Sequence, residues 1–185
     1  IEESMDRAVF ASNLKEQSRD NQLKYLSSEV KVPNVRFGSI DITYTPSEQP
    51  KTVTSTTFEA SNITNKTGSR LFLRTYPLNK GNFRKFGSAE RMNDIEIPQQ
   101  YIQDDQIKYI LPEGYTAESL PGDINIENEF GKFTRKLSVE DNTIISEILI
   151  YIKSGKYEKS TYEDLKSFLS KIDSALTTRL VFKKG

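Results

Sequence analysis

The sequence of 185 residues contains no histidine, no cysteine and no tryptophan. Without histidine and cysteine it cannot form a Ser-His-Asp triad, a Cys-His nucleophile pair or an imidazole acid-base group. The same absences exclude disulfide bonds and zinc sites built from cysteine and histidine. Carboxylates, lysines and tyrosines are the acid-base side chains that remain, so any catalysis by this chain would have to use them.

The sequence also lacks an excess of one charge and any long apolar run. Its 26 Lys and Arg residues balance 26 Asp and Glu residues, so the formal net charge is zero. A neutral chain offers no basic field, and we expect no nucleic-acid partner. No apolar run approaches the roughly 18–20 residues of a transmembrane helix, so we expect no membrane span in this segment. Because the chain begins at Ile1 without an initiator methionine, we interpret it as a piece of a longer protein.

Most of the chain alternates apolar and polar side chains, as β-strands do. Ten phenylalanines and nine tyrosines supply material for a core. The pattern predicts strands over residues 35–44, 52–60, 71–76, 107–111, 124–130, 133–139, 144–152 and 180–182. We predict a turn-rich loop over residues 62–68 and a long loop over residues 77–98. Within the first strand the apolar parity changes between Phe37 and Ile40, so a bulge is predicted at Gly38.

Apolar residues recur at helical spacing only near the two ends of the chain. Two short helices are predicted over residues 5–14 and from Ser18 or Asp20 to Leu26. A C-terminal helix is predicted from the apolar repeat between Tyr162 and Leu176, with Ser160 and Glu163 as a capping box. We therefore predict a helical lead over residues 1–32 and a β domain over residues 33–185. The domain is predicted to be a mainly β, antiparallel, immunoglobulin-like β-sandwich with the C-terminal helix packed on the sheet.

Several short motifs along the chain are distinctive. Residues 111–115 read Leu-Pro-Glu-Gly-Tyr, residues 120–121 read Leu-Pro, and residues 127–131 read Glu-Asn-Glu-Phe-Gly. The further motifs are Arg-Leu-Phe-Leu at residues 70–73, Pro-Leu-Asn at residues 77–79, and residues 153–157 followed by Tyr162, Leu165 and Phe168. Together they resemble the uncharacterised domain that follows the catalytic domain in bacterial transglutaminase-like envelope proteins. The helical start from Met5 to Leu26 resembles the short link that leaves the catalytic domain, so the resemblance covers nearly the whole chain.

This resemblance implies a C-terminal accessory domain of an exported protein, located in the periplasm or the outer cell envelope. The family's catalytic Cys, His and Asp belong to the preceding domain, so no catalytic residue carries over to this chain. The parent protein would be a transglutaminase-like or cysteine-protease-like enzyme, whereas this segment is expected to be non-catalytic, without cofactor or metal. The expected partner is the preceding catalytic domain of the same parent chain, together with an envelope protein or a glycan.

The candidate binding surface combines aromatic and basic side chains in the long loop with one tyrosine from the Leu-Pro-Glu-Gly-Tyr turn. Its members are Phe83, Arg84, Lys85, Phe86, Arg91 and Tyr115. Aromatic rings beside cations can stack on a sugar or contact an acidic partner. The alternative interpretation is that the rings plug the end of the sandwich while the basic residues keep it soluble. A first alternative function is accordingly a carbohydrate-binding module that uses the Phe83/Phe86 loop.

A second alternative is a hydrolase with paired carboxylates, which needs two carboxyl groups facing each other across a cleft. Asp104 and Asp105 are predicted to lie in a turn with diverging side chains. Glu127 and Glu129 are predicted to share a solvated strand face. A calcium site would need oxygen ligands such as those of residues 123–129, but these lack the spacing and the glycine of an EF-hand loop.

Overall fold

The computed structural model describes residues 2–3, 13–47, 51–61, 63–78 and 92–185. The helices of these residues are α1 (Arg19–Glu29) and α2 (Tyr162–Thr177). The strands are β1 (Glu2–Glu3), β2 (Val35–Thr45), β3 (Lys51–Ala60), β4 (Thr64–Thr67), β5 (Arg70–Arg74), β6 (Ile95–Ile97), β7 (Tyr101–Ile110), β8 (Tyr115–Ser119), β9 (Ile124–Asn128), β10 (Gly131–Glu140), β11 (Thr143–Ile152), β12 (Gly155–Tyr157) and β13 (Arg179–Lys184).

These strands form three antiparallel sheets. A seven-stranded sheet has the order β2-β3-β1-β7-β11-β10-β9, a four-stranded sheet has the order β4-β5-β13-β8, and β6 pairs with β12. The predicted fold class is confirmed, because the protein is mainly β, with antiparallel sheets in an open, sandwich-like arrangement and one C-terminal helix. The immunoglobulin-like assignment within this class stays a prediction.

The larger core lies between α2 and the middle of the seven-stranded sheet. Ile148 and Ile150 of β11 and Phe133 of β10 are buried on the inner face of that sheet. They belong to the same cluster as Phe168 and Ile172, which lie on the apolar face of α2. The apolar repeats that predicted β11 and α2 therefore describe two surfaces that pack against each other.

A smaller core joins the two main sheets. Leu73 of β5 and Leu180 and Phe182 of β13 cluster with Ile144 of β11. Because β13 lies between β5 and β8, its backbone is paired on both sides. The strand predicted over residues 71–76 corresponds to β5, which lies between β4 and β13.

The first helical region agrees with its sequence signals where the structure describes it. Ser18 is the N-cap of α1 and accepts a bond from the backbone N–H of Asn21 at 3.4 Å. Most of the predicted helix over residues 5–14 lies outside the described residues. The strand at Glu2–Glu3, which pairs with both β3 and β7, was not predicted.

The predicted bulge at Gly38 is confirmed by a register shift between Phe37 and Ile40 in the pairing of β2 with β3. A Cβ atom at Gly38 would lie 2.5 Å from the hydroxyl oxygen of Thr57, so only glycine fits without movement of that side chain. The bulge turns the edge strand locally and interrupts its pairing, as bulges near sheet edges commonly do.

Several local predictions are wrong. Residues 62–68 are not only a loop, because Thr64–Thr67 form β4 and pair with β5 through a turn at Gly68. The long loop predicted over residues 77–98 contains β6. Asp104 and Asp105 lie within β7 and not in a turn, because that strand begins at Tyr101, before the visible apolar alternation. Strand β8 was missed, since its five residues offer little apolar alternation.

The predicted capping box is also wrong. Ser160 lies in a 3-10 turn before α2, and its hydroxyl donates to the Glu158 carboxylate at 3.2 Å. The N-cap of α2 is Thr161, and the Glu163 carboxylate accepts a bond from Lys166 at 2.7 Å. The acidic residues in the first helical turn still favour the helix, because negative charge complements its N-terminal dipole.

Among the residues that the structure describes, no helix combines the length and the apolar composition of a transmembrane segment.

Candidate functional site

Of the predicted binding surface, one residue, Tyr115, lies among the residues that the structure describes. Tyr115 begins β8, pairs with Lys184 of β13 and is half-buried against the smaller core. Its backbone N–H donates to the carbonyl of Pro112 at 3.2 Å, and Gly114 has a φ of 79° in the same turn. The Leu-Pro-Glu-Gly-Tyr turn thus orients the Tyr115 ring toward the junction of the two sheets.

The other members of that surface, Phe83, Arg84, Lys85, Phe86 and Arg91, lie outside the described residues. The carbohydrate-binding alternative, which depends on two of them, therefore stays a prediction. On one side of this segment Leu78 is buried and forms a β-bridge with Val30. On the other side the Asp94 carboxylate accepts a bond from the backbone N–H of Lys159 at 3.1 Å. These contacts hold the two flanking stretches against the regions next to α1 and α2.

The predicted carboxylate groups do not form a common site. Asp104 and Asp105 point to opposite faces of β7, the first exposed and the second buried. Glu127 forms an ion pair with Lys132 at 3.1 Å, and Asp123 accepts a bond from the backbone N–H of Leu137 at 3.1 Å. Among the residues that the structure describes, no three Asp or Glu side chains are grouped so that they could hold a metal ion.

A buried polar cluster, which the sequence analysis missed, lies between β7 and the segment after β5. The Tyr76 hydroxyl donates to Oδ2 of Asp105, and Nε2 of Gln103 donates to both the Tyr76 hydroxyl and Oδ2 of Asp105, the latter at 3.0 Å. The Tyr101 hydroxyl donates to Oε1 of Gln103. Tyr101, Gln103 and Asp105 alternate along β7, so they share its inner face with Ile107. A strand assignment beginning at residue 101 would have revealed them.

The low-polarity surroundings shift the proton affinities of this cluster. Burial raises the pKa of the Asp105 carboxyl, although the hydrogen bonds from Tyr76 and Gln103 act in the opposite direction. Burial also raises the pKa of Tyr76 well above its usual range, and the charge of Asp105 adds to this effect. Only 2% of Asp105 is exposed, so a substrate could not reach the carboxyl in this conformation. The cluster can retain a proton, but it is built as an internal support.

A second buried polar element is Arg135 of β10, which is 2% exposed. Its Nη1 donates to the carbonyl of Ala175 at 2.9 Å, and its Nη2 donates to the carbonyl of Gly122 at 2.8 Å. Burial lowers the pKa of this guanidinium, whereas the charge of Asp123 raises it. The positive charge lies at the C-terminal end of α2, where the helix dipole favours a cation. Arg135 thereby links the helix, the loop before β9 and the large sheet.

The fold and its internal polar groups define a β domain with an open antiparallel sandwich, one packed helix and buried acid and arginine side chains that serve packing. Residues 69–182 match the family described as a domain of unknown function with a solved structure (DUF3858). The chain belongs to this family, since the match covers more than half of its length. No curated protein matches the chain, and no solved structure matches it. The matched region includes Tyr76, Asp105 and Arg135, and it begins after β4.

Proposed function

We propose that this chain is a non-catalytic accessory domain of a transglutaminase-like exported bacterial protein. In this role it docks on or positions the preceding catalytic domain, or it binds a partner in the cell envelope. Apart from the helical start over residues 5–26, the segments that carry the resemblance to such proteins lie within the region that matches the family, at residues 70–79, 111–131 and 153–168. The resemblance and the family match therefore concern the same folded unit.

The observation that carries the non-catalytic part of the proposal is the burial of the acid-base cluster. Asp105 is the carboxyl whose raised pKa would suit a general acid. Its hydrogen-bond partners Tyr76 and Gln103 are themselves buried. Tyr76 lies in the segment after β5 and Gln103 lies in β7. An active site needs its acid within hydrogen-bonding reach of a substrate, whereas this arrangement stabilises the joint between β7 and the segment after β5.

The motif residues likewise have packing and turn roles. Leu111 is buried in the smaller core and is followed by the Pro112–Gly114 turn. Phe130 is buried in the larger core, and Gly131 has a φ of 149° that L side chains rarely adopt. Residues of this kind preserve a shape, which suits a domain that acts through contacts with another protein.

Docking can be tested by mixing this chain with the separately expressed preceding domain of its parent protein. We expect co-elution in size-exclusion chromatography and a binding heat in calorimetry. As a control for general charge effects, Lys171→Glu changes the charge of an exposed position on α2. This variant should leave the fold intact and should co-elute like the unmodified chain. If both proteins are folded yet show no co-elution and no heat at high concentration, docking on the catalytic domain is wrong.

A further inference from the structure

The outward face of the four-stranded sheet carries an unusual set of cations. In the pairing of β5 with β13, Arg70 lies opposite Lys183, Phe72 opposite Val181, and Arg74 opposite Arg179. Directly paired residues share a face, and alternate residues along a strand share it too. The four basic residues are exposed, and Phe72 and Val181 are half-buried between them. We call these six residues the cationic face.

Like charges directly opposite each other destabilise a sheet. At one end of the cationic face this repulsion is relieved by Glu118 of β8, whose carboxylate oxygens accept bonds from Nε and Nη2 of Arg70 at 2.5 and 2.6 Å. The hydrogen bond from Arg70, together with the charges of Arg70 and Lys183, lowers the pKa of the Glu118 carboxyl. One carboxylate is thus shared by the first cationic pair.

The second cationic pair, Arg74 and Arg179, has no carboxylate in the position that Glu118 occupies beside Arg70 in the described part of the chain. Within the described part of the chain, no carboxylate lies within 4.0 Å of either guanidinium. At the nearby end of α2, the Ala175 carbonyl accepts bonds from Arg135 at 2.9 Å and from the Thr178 backbone at 3.4 Å. The fold therefore holds two cations side by side without a described counter-charge.

The backbone keeps this pair in place. The N–H of Thr75, directly after Arg74, donates to the carbonyl of Thr178, directly before Arg179, at 2.9 Å. Thr75 is buried, so the ends of both strands are anchored. Two arginines that the backbone holds opposite each other are well suited to a carboxylate, which can accept bonds from both.

We propose that the cationic face binds an extended acidic segment of a partner protein. A carboxylate of that segment lies between Arg74 and Arg179, and an apolar side chain two positions away lies on Phe72 and Val181. The spacing fits, because alternate residues of an extended chain are about 6.6–6.8 Å apart, as are the successive cross-strand pairs of the sheet. Glu118 already shows how a carboxylate binds the other end. This inference rests on the proposed function of the chain as an interaction domain, and it names the chemistry of the partner.

The repulsion gives the proposal a readout that a packing role would not produce. Arg179→Glu places a carboxylate opposite Arg74, so the free protein should gain a cross-strand attraction and its Tm should rise. The same variant should bind an acidic segment less tightly, because the carboxylate competes with the ligand for Arg74. A gain of stability together with a loss of binding is expected of a site that retains repulsion for function.

The probe is the acetylated peptide Ser-Glu-Thr-Leu-Thr-Glu-Ser, which alternates acidic, polar and apolar positions. Titration followed by amide NMR should shift signals of β5 and β13, and added salt should reduce the affinity. Arg179→Glu should weaken binding by about tenfold or more, the equivalent of one charge-assisted hydrogen bond. Controls are the same peptide with Gln in place of Glu, and Lys108→Glu, which makes the same charge change on the exposed outer face of the seven-stranded sheet.

Several results would overturn the inference. These are equal binding of the acidic and neutral peptides, an equal loss of affinity in Lys108→Glu, or unchanged affinity in Arg179→Glu. Tighter binding of polyglucuronate than of the peptide at the same strands would show that the ligand class is an anionic polysaccharide and not a protein segment. If the preceding domain co-elutes equally well with Arg179→Glu, this inference fails while the proposed accessory role stands.

Discussion

At the scale of single residues, the fold depends on a few positions where one side chain or its absence is required. Gly131 begins β10 at the turn from β9, with a φ of 149°. A Cβ atom there would lie 1.9 Å from the carbonyl oxygen of Tyr151 in the neighbouring strand. Both the backbone conformation and the close approach of β11 exclude other residues.

Gly131→Ala should therefore lower the free energy of unfolding by about 2–4 kcal/mol, through strain and overpacking together. Urea denaturation measures this change. Gly68→Ala is the matched control, since Gly68 also has a positive φ but a Cβ atom there meets nothing within 4 Å. That variant should lose only about 1–2 kcal/mol, and an equal loss in both variants would contradict the proposed steric clash.

Asp105 should give the protein a characteristic pH dependence. Its pKa is raised in the folded protein, so the unfolded chain releases this proton at a lower pH than the folded protein does. The contribution of Asp105 is therefore most favourable below the unfolded pKa, near 3.8, and is lost as the pH rises through the folded pKa. Asp105→Asn removes this titration and should be relatively more stable than the parent protein at pH 7 than at pH 4.

Chemical denaturation of both proteins at the two pH values measures the difference. Glu140→Gln, which makes the matching carboxyl-to-amide change at an exposed position in the hairpin between β10 and β11, is measured beside it as the control. A constant difference between Asp105→Asn and the parent protein at all pH values would show that Asp105 does not titrate differently in the folded state.

At the scale of elements, the sequence predicted those whose apolar pattern matches their burial. The isoleucines of β11 alternate because the inner face of that strand is covered, and the apolar repeat of α2 marks the face that packs on it. β7 was located only in part, because Gln103 and Asp105 occupy buried positions where apolar residues were expected. The capping box failed since Ser160 bonds locally to Glu158. The apolar pattern of the sequence therefore does not locate buried polar clusters, which support this fold from inside.

The packing of α2 gives a prediction at this scale. Phe168 is 1% exposed and lies in the larger core. Phe168→Ala should lower the free energy of unfolding by about 3–5 kcal/mol, because it leaves a cavity between the helix and the sheet. Lys171→Ala, at an exposed position of the same helix, should stay within about 0.5 kcal/mol of the parent protein. Similar effects of both substitutions in urea denaturation would argue against this packing.

At the scale of the whole molecule, Arg135 connects elements that belong to the two cores. It reaches from the large sheet to the end of α2 in the larger core and to the loop at Gly122, which follows Leu120 of the smaller core. This role could not be predicted from the sequence, since an arginine in a strand is usually solvent-exposed. The cationic face was equally hidden, because it arises only when strands distant in sequence pair.

Arg135→Met should destabilise the protein by about 2–3 kcal/mol, because the Ala175 and Gly122 carbonyls each lose a charge-assisted hydrogen bond while the cost of burying a charge disappears. Arg135→Lys keeps the charge but cannot reach both carbonyls with one ammonium group, so it should also destabilise the protein. Thermal and urea unfolding check both variants. If Arg135→Met equals the parent protein in stability, the buried guanidinium is not a necessary link.

The central position of β13 in the four-stranded sheet also has a kinetic consequence. Its Lys183 pairs with Arg70, and 183 − 70 gives a separation of 113 residues. Closing so long a loop costs entropy before any contact offsets it, and non-local pairing of this kind slows folding. Until β13 is in place, β5 and β8 expose strand edges that can join other chains. During synthesis the smaller core should therefore form last, and the interval before it forms is when the chain is most prone to aggregate.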